Sequence, residues 1–172
     1  LLGYPGFLQA ADRLIVHTRQ GGEVLRRLGG DPERIAVIPH GPLSLGPPDG
    51  PAPVRTDGRW TFVLFGKLQP YKGVDRLVAA VAALDPGLRT GIRVIVAGEP
   101  FIDLAPIRAR IAADEGLAAS IELRSGRQSE AEMQALFAEA DTFVFPYRHI
   151  EASGVYHLVK GLGKWIVASD LG

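Results

Sequence analysis

The sequence predicts an α/β protein with a Rossmann-like, doubly wound parallel sheet, truncated at both ends. Two observations carry this expectation. Short β-branched runs recur at 13–17, 34–39, 60–65, 93–97, 120–123, 142–145 and 165–168. Most of the gaps between them show helical periodicity. Strands alternating with helices at this spacing imply βαβ units, and hence a parallel sheet covered on both faces.

The elements follow in order. The first forty residues hold a strand (13–17), a helix over about 19–28 and a further strand (34–39). Residues 41–59 then contain four Gly and five Pro in nineteen positions, which reads as a linker or long surface loop. After strand 60–65, Val74, Leu77, Val78, Val81 and Leu84 fall on one helical stripe. Ile107 and Ile111 mark a weaker stripe. Ser129 with Glu132 fits a capping box, and Met133, Leu136 and Phe137 follow as its buried face. A last helix is expected over about 152–162, before strand 165–168. The chain starts without Met and stops at Gly172, where such a sheet would continue with a helix, so both ends read as cut.

Composition narrows the function classes. The 172 residues suffice for one well-packed domain and a piece of a second. Nineteen basic and nineteen acidic residues cancel, so no global field favours nucleic acid or an anionic membrane. The absence of cysteine removes disulfides, thiolate zinc sites and a cysteine nucleophile together. No apolar run approaches the roughly 20 residues needed to span a bilayer. The start, Leu1-Leu2-Gly3-Tyr4-Pro5, lacks the basic and apolar regions of a signal peptide.

Two segments carry chemistry. The first is Phe65-Gly66-Lys67-Leu68-Gln69-Pro70-Tyr71-Lys72-Gly73, between a strand and a helix. Ligands in open α/β sheets sit beyond the carboxyl ends of strands, near helix N-termini. Gly66 lets backbone approach a ligand closely. Lys67 and Lys72 flank the loop, and their ammonium groups are expected to converge on one anion beside the helix start. The loop lacks the Walker pattern G-x-x-x-x-G-K-[ST]. From chemistry alone it reads equally well as a solvated loop with two surface lysines.

The second segment is Pro146-Tyr147-Arg148-His149-Ile150-Glu151-Ala152-Ser153-Gly154, again between a strand and a helix. The N–H groups of Ala152, Ser153 and Gly154 are expected to face the same cleft. Glu151 would accept hydrogen bonds from sugar hydroxyls or stabilise positive charge at an anomeric carbon. From the residues alone the favoured reading is the plainer one, an N-cap acid that satisfies the helix end. His17, His40, His149 and His157 show no metal-ligand spacing. Only His149, beside Glu151, stands near a candidate site. G-x-S-x-G is absent, which argues against hydrolase chemistry.

Taken in order, Ala11-Asp12-Arg13-Leu14-Ile15-Val16-His17-Thr18, Ile38-Pro39-His40-Gly41, the 66–73 loop, Val96-Ala97-Gly98, Pro146-Tyr147-Arg148, Glu151-Ala152-Ser153-Gly154 and Val167-Ala168-Ser169-Asp170 form a series. Together they resemble the GT4-type retaining glycosyltransferases, the "glycosyl transferases group 1", from about residue 11 to the end. The resemblance implies the GT-B architecture, two Rossmann-like domains with the active site between them. Residues 1–33 would be the tail of the N-terminal domain. Residues 34–172 would be the C-terminal nucleotide-sugar-binding domain, incomplete at its C-terminus.

By the same resemblance, Gly66, Lys67, Lys72, Gly73, Ser153 and Gly154 would hold the donor diphosphate. Glu151, matching the first acid of the family's E-x7-E motif, would be the catalytic residue that faces and orients the donor sugar. Ser125, Gly126 and Arg127 would lie on the nucleobase side. The partners implied are a nucleotide-sugar donor and an unassigned acceptor, with no nucleic acid. No cofactor and no metal are expected, because lysines and helix ends replace the ion. A cytoplasmic location is implied, with any peripheral membrane contact assigned to the N-terminal domain.

This sequence departs from the family pattern in two places. The second acid of the E-x7-E motif should fall near Val159, and Lys164-Trp165 stands where a Gly-x-Pro sequence is usual. A non-catalytic nucleotide-binding or structural module derived from the family is therefore the rival reading. A flavodoxin-like or response-regulator domain would need acidic residues at the strand ends where this chain has lysines.

Overall fold

Two parallel sheets organise the protein, described by a computed structural model over residues 4–41, 43, 57–149 and 153–171. The first sheet is a small βαβ unit that follows helix α1 (Tyr4–Ala10). Strand β1 (Leu14–Val16) leads to helix α2 (Arg19–Arg27), which returns to strand β2 (Ile35–Val37). Thr18 starts α2 by accepting a hydrogen bond from the Gly21 amide. β1 and β2 pair in parallel, Leu14 beside Ile35 and Val16 beside Val37. The boundary expected at residue 34 falls immediately before β2. The two-stranded sheet therefore holds residues from both sides of it.

The second sheet has five parallel strands: β3 (Trp60–Phe65), β4 (Ile92–Gly98), β5 (Ile121–Ser125), β6 (Thr142–Phe145) and β7 (Trp165–Ala168). Their order is β5-β4-β3-β6-β7. The chain winds outward from β3 in both directions, the doubly wound pattern the sequence predicts. The order reverses beside β3, which puts a switch-point crevice between the ends of β3 and β6.

Alternation along the strands divides the core between two faces. Leu64, Val94, Val96 and Val144 pack with Val74, Leu77, Val78 and Val81 of α3 (Val74–Ala82). Ile107 and Ile111 of α5 (Ala105–Ala112) and Leu117 of α6 (Glu115–Ser120) complete that layer. Between α3 and β4 runs a five-residue helix, α4 (Pro86–Thr90). On the opposite face Val63, Ile95, Phe143 and Phe145 pack with Leu136 and Phe137 of α7 (Glu130–Glu139). Val159 of α8 (Gly154–Lys160) joins them there.

Several local expectations are met. β3, β6 and β7 span the expected residues. The Ser129–Glu132 capping box forms in both directions. The last helix is shorter than expected. Ser153 caps it by accepting from the Tyr156 amide, and Gly161 ends it. Most of the Gly/Pro-rich segment 41–59 lies outside the described residues.

Candidate functional site

Three neighbouring strands, β3, β4 and β5, end on glycines with positive φ: Gly66 (113°), Gly98 (139°) and Gly126 (134°). The backbone steps from one to the next, Gly66 N donating to Ala97 O and Gly126 N to Gly98 O, both at 3.0 Å. A Cβ on Gly98 would stand 1.9 Å from Gly66 O, so only glycine fits this crossing. The result is a shelf of bare backbone at the carboxyl end of the sheet. Above it lies a pocket of about 370 Å³, lined by Phe65, Gly66, Lys67, Gly98, Glu99, Arg127 and Gln128. Lys67 is exposed on its rim, its ammonium 5.6 Å from the centre of the Phe101 ring.

Lys72 differs sharply from Lys67. It ends a single 3₁₀ turn (Pro70–Lys72) between β3 and α3, and only 3% of its surface is exposed. Its Nζ donates to Phe65 O at 3.1 Å and to Tyr147 Oη at 2.8 Å. Among the described residues no carboxylate pairs with it. Arg89, Arg93, Arg124 and Arg148, by contrast, all have acid partners. Burial disfavours the ammonium and pulls its pKa down to about 8. Near neutral pH the site therefore holds a desolvated, largely charged cation with neutral partners. An entering anion would relieve that cost.

The segment after β6 packs against Lys72, beside that pocket and not in its lining. Tyr147 is buried, and its hydroxyl lies 3.4 Å from Ser153 Oγ. Arg148 turns away and clamps Asp75 of α3 with both guanidinium nitrogens, holding the Asp75 carboxyl below its usual range. Its amide also donates to Tyr71 O at 2.7 Å. These contacts fasten the segment after β6 to the loop after β3.

The expected site residues separate into groups. Gly66, Lys72 and Ser153 come together around Tyr147. Lys67 and Arg127 line the pocket, and Gly126, with its positive φ, turns the chain into Arg127. Gly154 opens α8 one residue beyond the cap. Gly73 also has a packing reason to be glycine. A Cβ there would stand 2.1 Å from Pro146 O, so its face is filled by protein and its positive φ (68°) serves the turn into α3. Ser125 accepts a hydrogen bond from Arg108 at 2.8 Å at the end of β5. The lysines do not share one environment, since one is buried and one is on the rim. His149 is exposed, with its ring 5.8 Å from that of Tyr71. Glu151 and Ala152 lie outside the described residues. Sequence reasoning gave no role to Tyr147, Glu99 or Gln128. The signal for Tyr147 was its place just after a central strand, within the second segment singled out and the Pro146-Tyr147-Arg148 stretch of the resemblance.

Among the described residues no cluster of His, Asp or Glu is placed to hold a metal ion. No helix among them is long and apolar enough to cross a membrane.

Comparison with known proteins agrees with this architecture. The profile described as "Glycosyl transferases group 1" matches residues 59–172. A D-inositol 3-phosphate glycosyltransferase of Acidothermus cellulolyticus is 30% identical, covering all of this chain and 41% of that protein. The enzyme of that name from Streptomyces bingchenggensis is 38% identical over 58% of this chain and 24% of its own length. The chain thus spans about two-fifths or less of the curated relatives it matches. Among solved structures, Anabaena HepE in complex with UDP and glucose superimposes with a TM-score of 0.75 at 18% identity, covering 97% of this chain and 47% of that one. Sucrose-phosphate synthase from Thermosynechococcus elongatus gives 0.70 at 21%, covering 97% and 43%. The five-stranded parallel sheet is that of a GT-B glycosyltransferase domain.

Proposed function

We propose, since the chain belongs to the glycosyl transferases group 1 family, that its cleft holds a nucleoside-diphosphate sugar and serves a transferase acting with retention. The observation that carries this is Lys72, a buried ammonium with neutral partners at the switch point of a parallel sheet. A diphosphate supplies the missing negative charge. In sugar transfer the charge on the departing diphosphate grows in the transition state, so a fixed cation beside it lowers the barrier. Lys67 and Arg127 on the pocket rim extend the positive field toward the rest of the nucleotide. The bare backbone at Gly66 and Gly98 lets the ligand approach closely. On this reading protein cations do the work of a metal, and Glu151 faces the sugar as the resemblance implies. HepE is a neighbour solved with UDP and glucose, which makes uridine nucleotides the first donors to try.

Calorimetry of the chain with UDP, GDP and their glucose conjugates tests the reading. Binding is expected to survive a chelator and to be lost in a Lys67→Ala, Lys72→Ala double variant. Unchanged affinity in that variant overturns the site assignment. D-inositol 3-phosphate, named for the curated relatives, is the first acceptor to test with a longer form of the protein.

One observation favours the rival reading of a nucleotide-binding module without transfer activity. Val159, where the family's second acid is expected, is fully buried in the apolar core. Measurable sugar transfer by the longer protein would exclude that reading.

A further inference from the structure

We propose that Tyr147 is a positioning residue for the anion site, making outward-facing donors of both Lys72 and Ser153. This rests on the reading that the cleft binds a nucleoside diphosphate. The argument is one of donors and acceptors. An ammonium only donates, so at the 2.8 Å contact the Tyr147 oxygen accepts from Lys72 Nζ. The phenol proton is then free to point at Ser153 Oγ, 3.4 Å away. Ser153 Oγ already accepts from the Tyr156 amide at 3.2 Å. With both of its acceptor positions used, the serine hydroxyl has only its own proton left to offer. Lys72 likewise spends two of its three N–H groups on Phe65 O and Tyr147. Both ends of the chain therefore present hydrogen to the cleft and no lone pair. That arrangement selects an oxyanion over a neutral hydroxyl ligand.

The tyrosine is held where this requires. It is 3% exposed, edge-on to the rings of Phe145 (5.4 Å) and Tyr71 (5.5 Å). Its ring also lies under Lys72 Nζ at 4.9 Å, so face and hydroxyl both serve the same cation. Burial pushes the phenol pKa up to about 12, which keeps its proton in place across the working pH range.

Tyr147→Phe tests the idea, because it keeps the ring and removes only the oxygen. UDP, inorganic pyrophosphate and uridine are titrated into wild type, Tyr147→Phe and Lys72→Ala, from about pH 6 to 9. The variant is expected to bind UDP and pyrophosphate about tenfold more weakly and uridine unchanged. The alkaline loss of UDP affinity is expected to move to lower pH, because the ammonium has lost an acceptor. Ser153→Ala breaks the same chain at its other end and is expected to weaken pyrophosphate binding without moving the alkaline limb. It also supplies the test if Tyr147→Phe fails to fold. If Tyr147→Phe keeps both the affinity and the alkaline limb while Lys72→Ala abolishes binding, the proposal fails and the donor-site reading stands. If Lys72→Ala also binds normally, the donor-site reading itself is lost.

Discussion

The α-carbon of Gly66 faces the ammonium of Lys72: a Cβ built on Gly66 would stand 3.1 Å from Lys72 Nζ and 3.2 Å from Val155. With φ at 113°, Gly66 also occupies backbone space that side chains avoid. Gly66→Ala therefore carries two costs at once. Backbone strain is expected to destabilise the fold by about 1–3 kcal/mol. Displacement of Lys72 is expected to weaken UDP binding beyond what the stability loss explains. Thermal melts and calorimetry on the same samples separate the two. A variant as stable and as tight as wild type would show that the shelf and the lysine are not coupled.

Lys72 should lower stability while serving the site. An unfolded lysine releases its proton near 10.5, the buried one near 8. Between those values the unfolded chain holds the extra proton, so wild-type stability should rise as pH climbs from about 8 to 10.5. Below about 8 the full penalty of the buried charge is present. Lys72→Met removes it and is expected to stabilise the fold at pH 7 by up to roughly 3 kcal/mol. The gain should fade toward pH 10, and UDP binding should be lost. Denaturant midpoints at about pH 7 and 10 check this. A destabilised Lys72→Met at neutral pH would mean that packing around the alkyl stem outweighs the charge.

A row of three histidines should make the contact between the two sheets acid-sensitive. His40 stacks on His157 at 4.6 Å and 10°, and His17 lies 5.1 Å from His40. They follow β2, sit in α8 and follow β1 respectively. His17 and His40 each place Nδ1 within 2.9 Å of a carbonyl, of Ile38 and Gly41, which fixes the proton on that nitrogen in the neutral form. Burial lowers the His157 pKa below its usual 6.5, with His40, Lys160 and His17 adding repulsion. The unfolded chain thus takes up the proton first, and stability should drop as pH falls through about 6.5 and below. His157→Phe keeps a ring in the stack and removes that titration. Its melting temperature should change less than that of wild type between about pH 7.5 and 5.5. Equal acid sensitivity in the two proteins would count against the stack.

The central strands were legible because strands covered on both faces read as short, β-branched apolar runs. Val63 and Leu64 must face opposite layers, and Ser129 with Glu132 spells its own cap. Partnership across the chain was not legible. Lys67 and Lys72 are alike in sequence, and only the turn that tucks Lys72 behind Gly66 makes one a buried cation. Its partner Tyr147 lies 75 residues away. Nor can local pattern show that Pro146 O leaves no room for a side chain at Gly73. The strand that β2 pairs with was not legible either, because nothing local reveals that its hydrogen bonds go back to β1.

Val159 gives a last test of how far this chain has moved from its family's pattern. The residue is wholly buried, packed with the layer that contains Val63, Ile95 and Phe143. A carboxylate at that position would enter the apolar core without a partner. Val159→Glu is therefore expected to cost about 3–5 kcal/mol, enough to unfold a marginal domain, and not to strengthen UDP binding. Soluble yield, thermal melting and UDP titration read the outcome. A folded variant that binds UDP more tightly would show that α8 turns in the liganded protein to bring position 159 into the cleft. A folded variant with unaltered UDP binding would show that the core accommodates the acid, and that its burial is not what keeps the position apolar.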